Sequence, residues 1–242
     1  MKNFSILLST VAIILAAVAT VKTYKPAQSV SQDFVGEVAE ALKSNPQMII
    51  DAMQKYQDDM RAAEEKAAQE AMAKYMDEIN NSANAPFIGP DNAKVVVVEF
   101  FDFSCGYCKR LAPELEKVTA ANADVKFIFK PLTFVSPISD YQAKAGYAAH
   151  KQGKFAEFYK EVMAFGGRMN EAAVDEVANK IGLDIAQYKA DLASDEVAAN
   201  MKAVNELAQN ISINGVPAVL INGKHVQAMS AAELQNAIDA AK

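Results

Sequence analysis

Lys94-Val95-Val96-Val97-Val98-Glu99-Phe100-Phe101-Asp102-Phe103-Ser104-Cys105-Gly106-Tyr107-Cys108-Lys109 is the stretch on which the fold turns. Its first half is a near-continuous run of β-branched and aromatic residues, the pattern of a strand buried on both faces. Its second half breaks into Cys-x-x-Cys and opens a helical pattern from Cys105 to about Ala121. Val125 to Phe129 reads as a second strand. The three pieces make a strand–helix–strand unit with the two cysteines at the helix N-terminus. Those cysteines are the only two in 242 residues, which excludes a disulfide scaffold and a Cys₄ zinc site.

The rest of the composition narrows the class. Hydrophobic residues make up 51% of the chain, enough for a sizeable core and against wholesale disorder. A formal charge of −6 argues against nucleic acid as a partner, because phosphates need a basic face. No internal repeat or low-complexity tract is present. At the N-terminus, Lys2 precedes an uncharged apolar run from Phe4 to Val21, and Ala17-Val18-Ala19 is a small-x-small pattern. Residues 1–19 therefore read as a secretory signal peptide, with an uncleaved membrane anchor as the alternative. Both readings place the remainder outside the cytoplasm, in an oxidising compartment such as the periplasm.

Residues 20–85 carry 7 Lys/Arg against 11 Asp/Glu and no cysteine. A helix is expected from about Gln32 to Lys43 with Ser31 as N-cap. Asn45-Pro46 should cap and start a second helix running unbroken to about Ile79. Its apolar positions Ile49, Met53, Tyr56, Met60, Ala63 and Ala67 form a heptad seam, which then shifts phase by one residue to Ala68, Met72, Tyr75 and Ile79. This arm holds five of the ten methionines. It is read as a homo-oligomerisation arm over residues 31–79, making a dimer or trimer. Folding back on its own domain and a membrane-surface role are the competing readings. Asn80 to Pro90 reads as a linker. A helical block covers about 137–210. Ala218 to Ile221 is a short strand, Asn222-Gly223 a hairpin turn to a strand at His225 to Gln227, and Ser230 with Glu233 a capping box on a final helix.

The motif has a direct chemical reading. Cys105 at the first helical turn meets unpaired backbone N–H groups and the positive dipole end, which favour a thiolate nucleophile. Cys108 lies one turn on, shielded, and is placed to resolve a mixed disulfide by forming a Cys105–Cys108 bond. Gly106 permits close approach, and the pair Gly106-Tyr107 should tune the thiolate. Glu99 is an acid on a buried strand, costly without a partner; Lys130, at the end of the second strand, is a candidate. Asp102 reads as a strand-end polar residue, and Lys109 and Arg110 as solvated cations that add positive field. His150 and His225 are isolated and make no zinc site with the cysteines.

Val98 to Lys109 resembles the active-site stretch of DsbA-family thiol–disulfide oxidoreductases, and the resemblance covers about Pro86 to Lys242. Pro113, five residues after Cys108, matches the proline within the active-site helix of thioredoxin-like proteins. Gly215-Val216-Pro217 sits where that family carries its cis-proline. The resemblance implies an α/β thioredoxin-like fold with a helical insert at about 137–210, preceded here by the helical arm. It implies a redox disulfide Cys105–Cys108, Glu99 as a proton relay to Cys108, and Val216 and Pro217 as binders of substrate backbone. It implies no cofactor and no metal. The implied partners are exported proteins with cysteines and a membrane redox protein that reoxidises or reduces the pair. Gly106-Tyr107 departs from the Pro-His of the best-known oxidising members, so the redox potential does not carry over. The arm resembles the extended, oligomeric subgroup with isomerase activity, whereas Val216 resembles the oxidising members. Rival readings are a copper(I)-binding dithiol protein and a non-catalytic, chaperone-like exported protein.

Overall fold

The computed structural model describes residues 31–83 and 85–242; the predicted signal segment lies outside them. The chain divides into two units, Met1–Ala62 and Ala63–Lys242. No described helix is long and apolar enough to cross a membrane.

In the first unit, α1 spans Gln32–Ser44, and the Ser31 side chain accepts from Phe34 N–H at 3.2 Å, as a polar N-cap should. Asn45 departs from expectation. Its side-chain amide donates to Ala41 O at 3.1 Å and closes the end of α1. The helix α2, Gln47–Lys74, begins after Pro46. The predicted seam on α2 has two fates. Ile49, Met53, Tyr56 and Met60 are exposed, Tyr56 by 66%, and Ala63 and Ala67 are exposed as well.

The second unit contains the shifted seam. Met72 and Tyr75 are half-buried against its core, and Ile79 is fully buried in it. The one-residue phase change is where the stripe stops facing solvent and starts packing on its own domain. The predicted unbroken helix ends here: Tyr75 leaves helical geometry, and a short α3, Met76–Asn80, follows. The predicted linker is also partly structured. Ala85 is buried, and Phe87–Ile88 forms β1, too short a run for periodicity to reveal.

The sheet has the order β1-β3-β2-β4-β5. Strand β2, Val96–Phe101, is central. It pairs parallel with β3, Lys126–Pro131, and antiparallel with β4, Ala218–Ile221. This explains its composition: both edges are hydrogen-bonded and both faces covered, so nearly every position is apolar. Side chains alternate between the faces. Val97, Phe101, Phe129 and Val219 enter one core; Val98, Phe100, Ile128 and Leu220 enter the other. The first core is closed by α4, Gly106–Ala121, by α6, Phe155–Ala164, and by α10, Ala231–Asp239. The second is closed by Ile79 and by α9, Asp195–Asn210.

Between β3 and β4 lie α5 (Ser139–Lys151), α6, α7 (Glu171–Lys180), α8 (Ile185–Leu192) and α9. These occupy the expected insert, and the whole is a thioredoxin-like fold carrying that insert. The hairpin from β4 to β5, Lys224–Val226, turns on Asn222 (φ 47°) and Gly223 (φ 75°). Positive φ at both positions suits a two-residue turn whose twist matches its strands. Ser230 and Glu233 form the predicted capping box.

Candidate active site

Strand β2 ends at Phe101, and the next three residues aim the motif. Asp102 is fully buried. Its Oδ1 accepts from Ser104 N–H at 2.8 Å and from Ser139 Oγ at 2.7 Å, and its Oδ2 accepts from Val135 N–H at 3.0 Å. Its backbone carbonyl accepts from Cys105 N–H at 2.9 Å. A residue read as a simple strand-end polar group therefore ties the motif to the loop after β3 and to the start of α5. No local pattern signals this role, because two of its partners lie more than thirty residues away.

Cys105 is the N-cap of α4. Its Sγ accepts from Cys108 N–H at 3.5 Å, and its thiol lies 3.5 Å from Val216 O, within reach to donate. The Val216-Pro217 peptide is cis. A segment 111 residues away in sequence thus presents its carbonyl to the sulfur at the helix start. Both cysteines are free thiols in this structure. Cys105 is 7% exposed, whereas Cys108 is completely buried. Burial pushes the Cys108 thiol far above its ordinary value, and the nearby Glu99 carboxylate pushes it further. Both thiols are buried, but only Cys105 keeps a small exposure to solvent.

Glu99 is on the same sheet face as that helix, 1% exposed. Its Oε2 accepts from Tyr159 Oη at 2.9 Å, and its Oε1 has no partner among the described residues. Burial pushes its carboxyl up to about 8, with the Tyr159 hydrogen bond opposing. Tyr159 was not foreseen. It lies on α6 among Phe101, Phe103, Phe129 and Phe155. The only available signal was that a tyrosine on an apolar face needs a partner for its hydroxyl.

Lys130 requires a correction. It pairs in register with Phe100, not with Glu99, so the strand alternation turns it to the opposite face. There its Nζ donates to Glu78 O and Asn81 O, both at 3.2 Å. It neither partners Glu99 nor tunes the thiols.

At Gly106 a Cβ would meet nothing within 4 Å, so the fold itself does not demand glycine there. Tyr107 is 61% exposed, with the Arg110 guanidinium 4.1 Å from its ring centre. Lys109 Nζ donates to Phe165 O at 3.0 Å, so neither cation is simply solvated. His150 packs on Phe87 and Phe155, whereas His225 lies on β5.

Two clefts adjoin the motif. One, about 560 Å³, is lined by Ser104, Lys109, Val135, Gln142, Arg168 and Met169 among others. The other, about 520 Å³, runs along residues 211–218 with Ala68, Met72 and His225. A third and more apolar groove lies between α4 and α6 and shares Lys109 with the first; none of the three is lined by a cysteine.

Residues 81–240 match the thioredoxin family model Thioredoxin_4. The chain is 32% identical over 149 residues to the probable disulfide bond formation protein D of Bacillus anthracis, covering 56% of this chain and 69% of that one. A thioredoxin-like oxidoreductase from Silicibacter pomeroyi superposes with a TM-score of 0.62 at 34% identity, covering 68% of this chain and 96% of that one. Proteus mirabilis ScsC in a transitional conformation superposes with a TM-score of 0.65 at 27% identity, covering 87% and 95%. The chain spans 23% of the length of two Salinispora Na(+)/H(+) antiporters that it also matches.

Proposed function

The chain belongs to the thioredoxin family, and from that premise we propose that it is an exported, periplasmic thiol–disulfide oxidoreductase acting on other exported proteins. The observation that carries this reading is the pairing of two unlike thiols: Cys105 at a helix start beside the Val216 carbonyl, and Cys108 buried with an acid close by.

In the reducing direction, the Cys105 thiolate attacks a substrate disulfide and releases one substrate thiolate. This leaves a mixed disulfide on Cys105. Glu99 carboxylate takes the Cys108 proton, and the Cys108 thiolate attacks Cys105 Sγ. The Cys105–Cys108 bond forms as the mixed disulfide breaks, and the second substrate thiolate leaves. In the oxidising direction, a substrate thiolate attacks Cys105 Sγ of that bond. Cys108 leaves and takes its proton back from Glu99. A second substrate thiolate then displaces Cys105. Val216 and Pro217 offer backbone to the substrate chain beside the sulfur. The membrane redox partner resets the pair.

The exposed stripe Ile49, Met53, Tyr56 and Met60 supports self-association of the arm. An oligomer would hold several Cys105 groups around one substrate and favour reshuffling of wrong disulfides. Sedimentation of the full chain tests this: an oligomer is expected, reduced to monomer by Met53→Glu with Met60→Glu. Cys105→Ser tests the chemistry. Insulin reduction and dithiol oxidation should both disappear; unchanged rates would sink the proposal.

A further inference from the structure

Glu99 faces few groups that can hold or trade a proton. From α6 comes Tyr159, and from α4 comes Cys108. Its strand neighbours, Phe129 on β3 and Val219 on β4, are apolar. Lys126 and Lys130, the buried cations of the neighbouring strand β3, are both on the opposite face. Among the described residues the acid therefore has a single fixed hydrogen bond, 2.9 Å from Tyr159 Oη to Oε2, and one buried oxygen, Oε1, with no partner. A phenol is neutral, so it orients a carboxyl without locking it in the ionised form as a buried cation would. It donates one hydrogen bond and leaves the second oxygen uncommitted. Tyr159 is itself 6% exposed and held among aromatic rings, with Phe129 centred 5.0 Å and Phe101 5.3 Å away. That packing fixes where its hydroxyl points.

We propose that Tyr159 is the positioning residue of this site, holding Glu99 through Oε2 so that Oε1 stays free for the proton exchanged with Cys108. This rests on the relay role of Glu99 given above. Tyr159 touches neither substrate nor sulfur in the steps described; it acts through Glu99. Because the donated bond favours the carboxylate, it also sets the pH at which Glu99 begins to accept protons. Burial alone holds the acid neutral to higher pH.

The test uses the full chain carrying a mixed disulfide of Cys105 with glutathione. The rate at which Cys108 resolves it is followed against pH. The wild-type rate should rise through an inflection near 8, where Glu99 ionises. Tyr159→Phe removes the donor and should move that inflection up by about one to two pH units, since a hydrogen bond to a charged group is worth roughly that much. Replacement of Tyr159 by 3-fluorotyrosine keeps its shape and strengthens the donor, so the inflection should move down. This second variant decides the matter if the phenylalanine protein does not fold. Glu99→Gln should abolish the inflection. If Glu99→Gln abolishes it while both Tyr159 variants leave it at the wild-type pH, the positioning role is wrong and the relay stands. If Glu99→Gln keeps the wild-type inflection, the relay fails and takes the Tyr159 proposal with it.

Discussion

Glu99 and Lys130 are buried on opposite faces of the central sheet, and the two faces treat their charge in opposite ways. Glu99 on one face keeps a bare oxygen and a neutral donor. Lys130 on the other gives its protons to two backbone carbonyls, Glu78 O and Asn81 O, at the end of α3. Burial shifts each toward its neutral form: Glu99 up to about 8, Lys130 down to about 8. The difference lies in the neighbours. Lys130 is tied to the backbone that joins the arm to the domain and has no reactive group to serve. Glu99 has Cys108. A buried charge bound only to fixed acceptors is architecture, whereas in the relay proposed above the unpartnered oxygen of Glu99 trades a proton with Cys108.

The two residues should also bend stability in opposite directions with pH, and each slope can be removed separately. Glu99 binds its proton more tightly folded than unfolded. The stability it contributes is complete below about 4.5 and lost as pH rises through about 8. In the reduced protein, the difference between wild type and Glu99→Gln should therefore grow in favour of the variant across that window. The change is on the order of 5 kcal/mol. Chemical denaturation at a series of pH values reads it directly, because other titrations cancel in the difference. A flat difference would mean that Glu99 titrates as a solvated acid does, and the contrast between the faces would collapse.

The smaller effect has the other sign. Lys130 releases its proton more easily folded than unfolded, so wild type should gain on Lys130→Met as pH rises from about 8 to about 10.5. The gain is about 3 kcal/mol. Glutathione-linked oxidation of the Cys105–Cys108 pair in Lys130→Met should stay within about twofold of wild type, because the side chain is on the wrong face to reach either sulfur. A tenfold change would break the division between a structural face and a chemical one.

Much of this was legible in the sequence, for local reasons. The Val-rich run with one acid marked a strand covered on both faces. The two cysteines marked a helix start, and Asn222-Gly223 and Ser230 with Glu233 announced their turn and cap within four residues. What the sequence hid depended on pieces that meet only after folding. Tyr159 is sixty residues from Glu99 and becomes its donor only once α6 packs on the sheet. The face of Lys130 depended on the β2–β3 register, which places it opposite Phe100 rather than Glu99. The seam in α2 shows both sides of this: its phase shift at Ala67-Ala68 was visible, yet its meaning needed the core into which Met72, Tyr75 and Ile79 fit. Asp102 looked unremarkable because its partners Val135 and Ser139 come from the loop beyond β3 and the helix after it.

The central claim is that an acid held neutral by burial serves the hidden thiol. It is tested most directly by titrating the Glu99 carboxyl in the reduced, full-length protein by ¹³C NMR, with Glu99→Gln to assign the signal. The midpoint should lie near 8, and the Glu99 signal should respond when Cys108 is oxidised. A midpoint near the ordinary 4.5, unmoved by the state of Cys108, would contradict it.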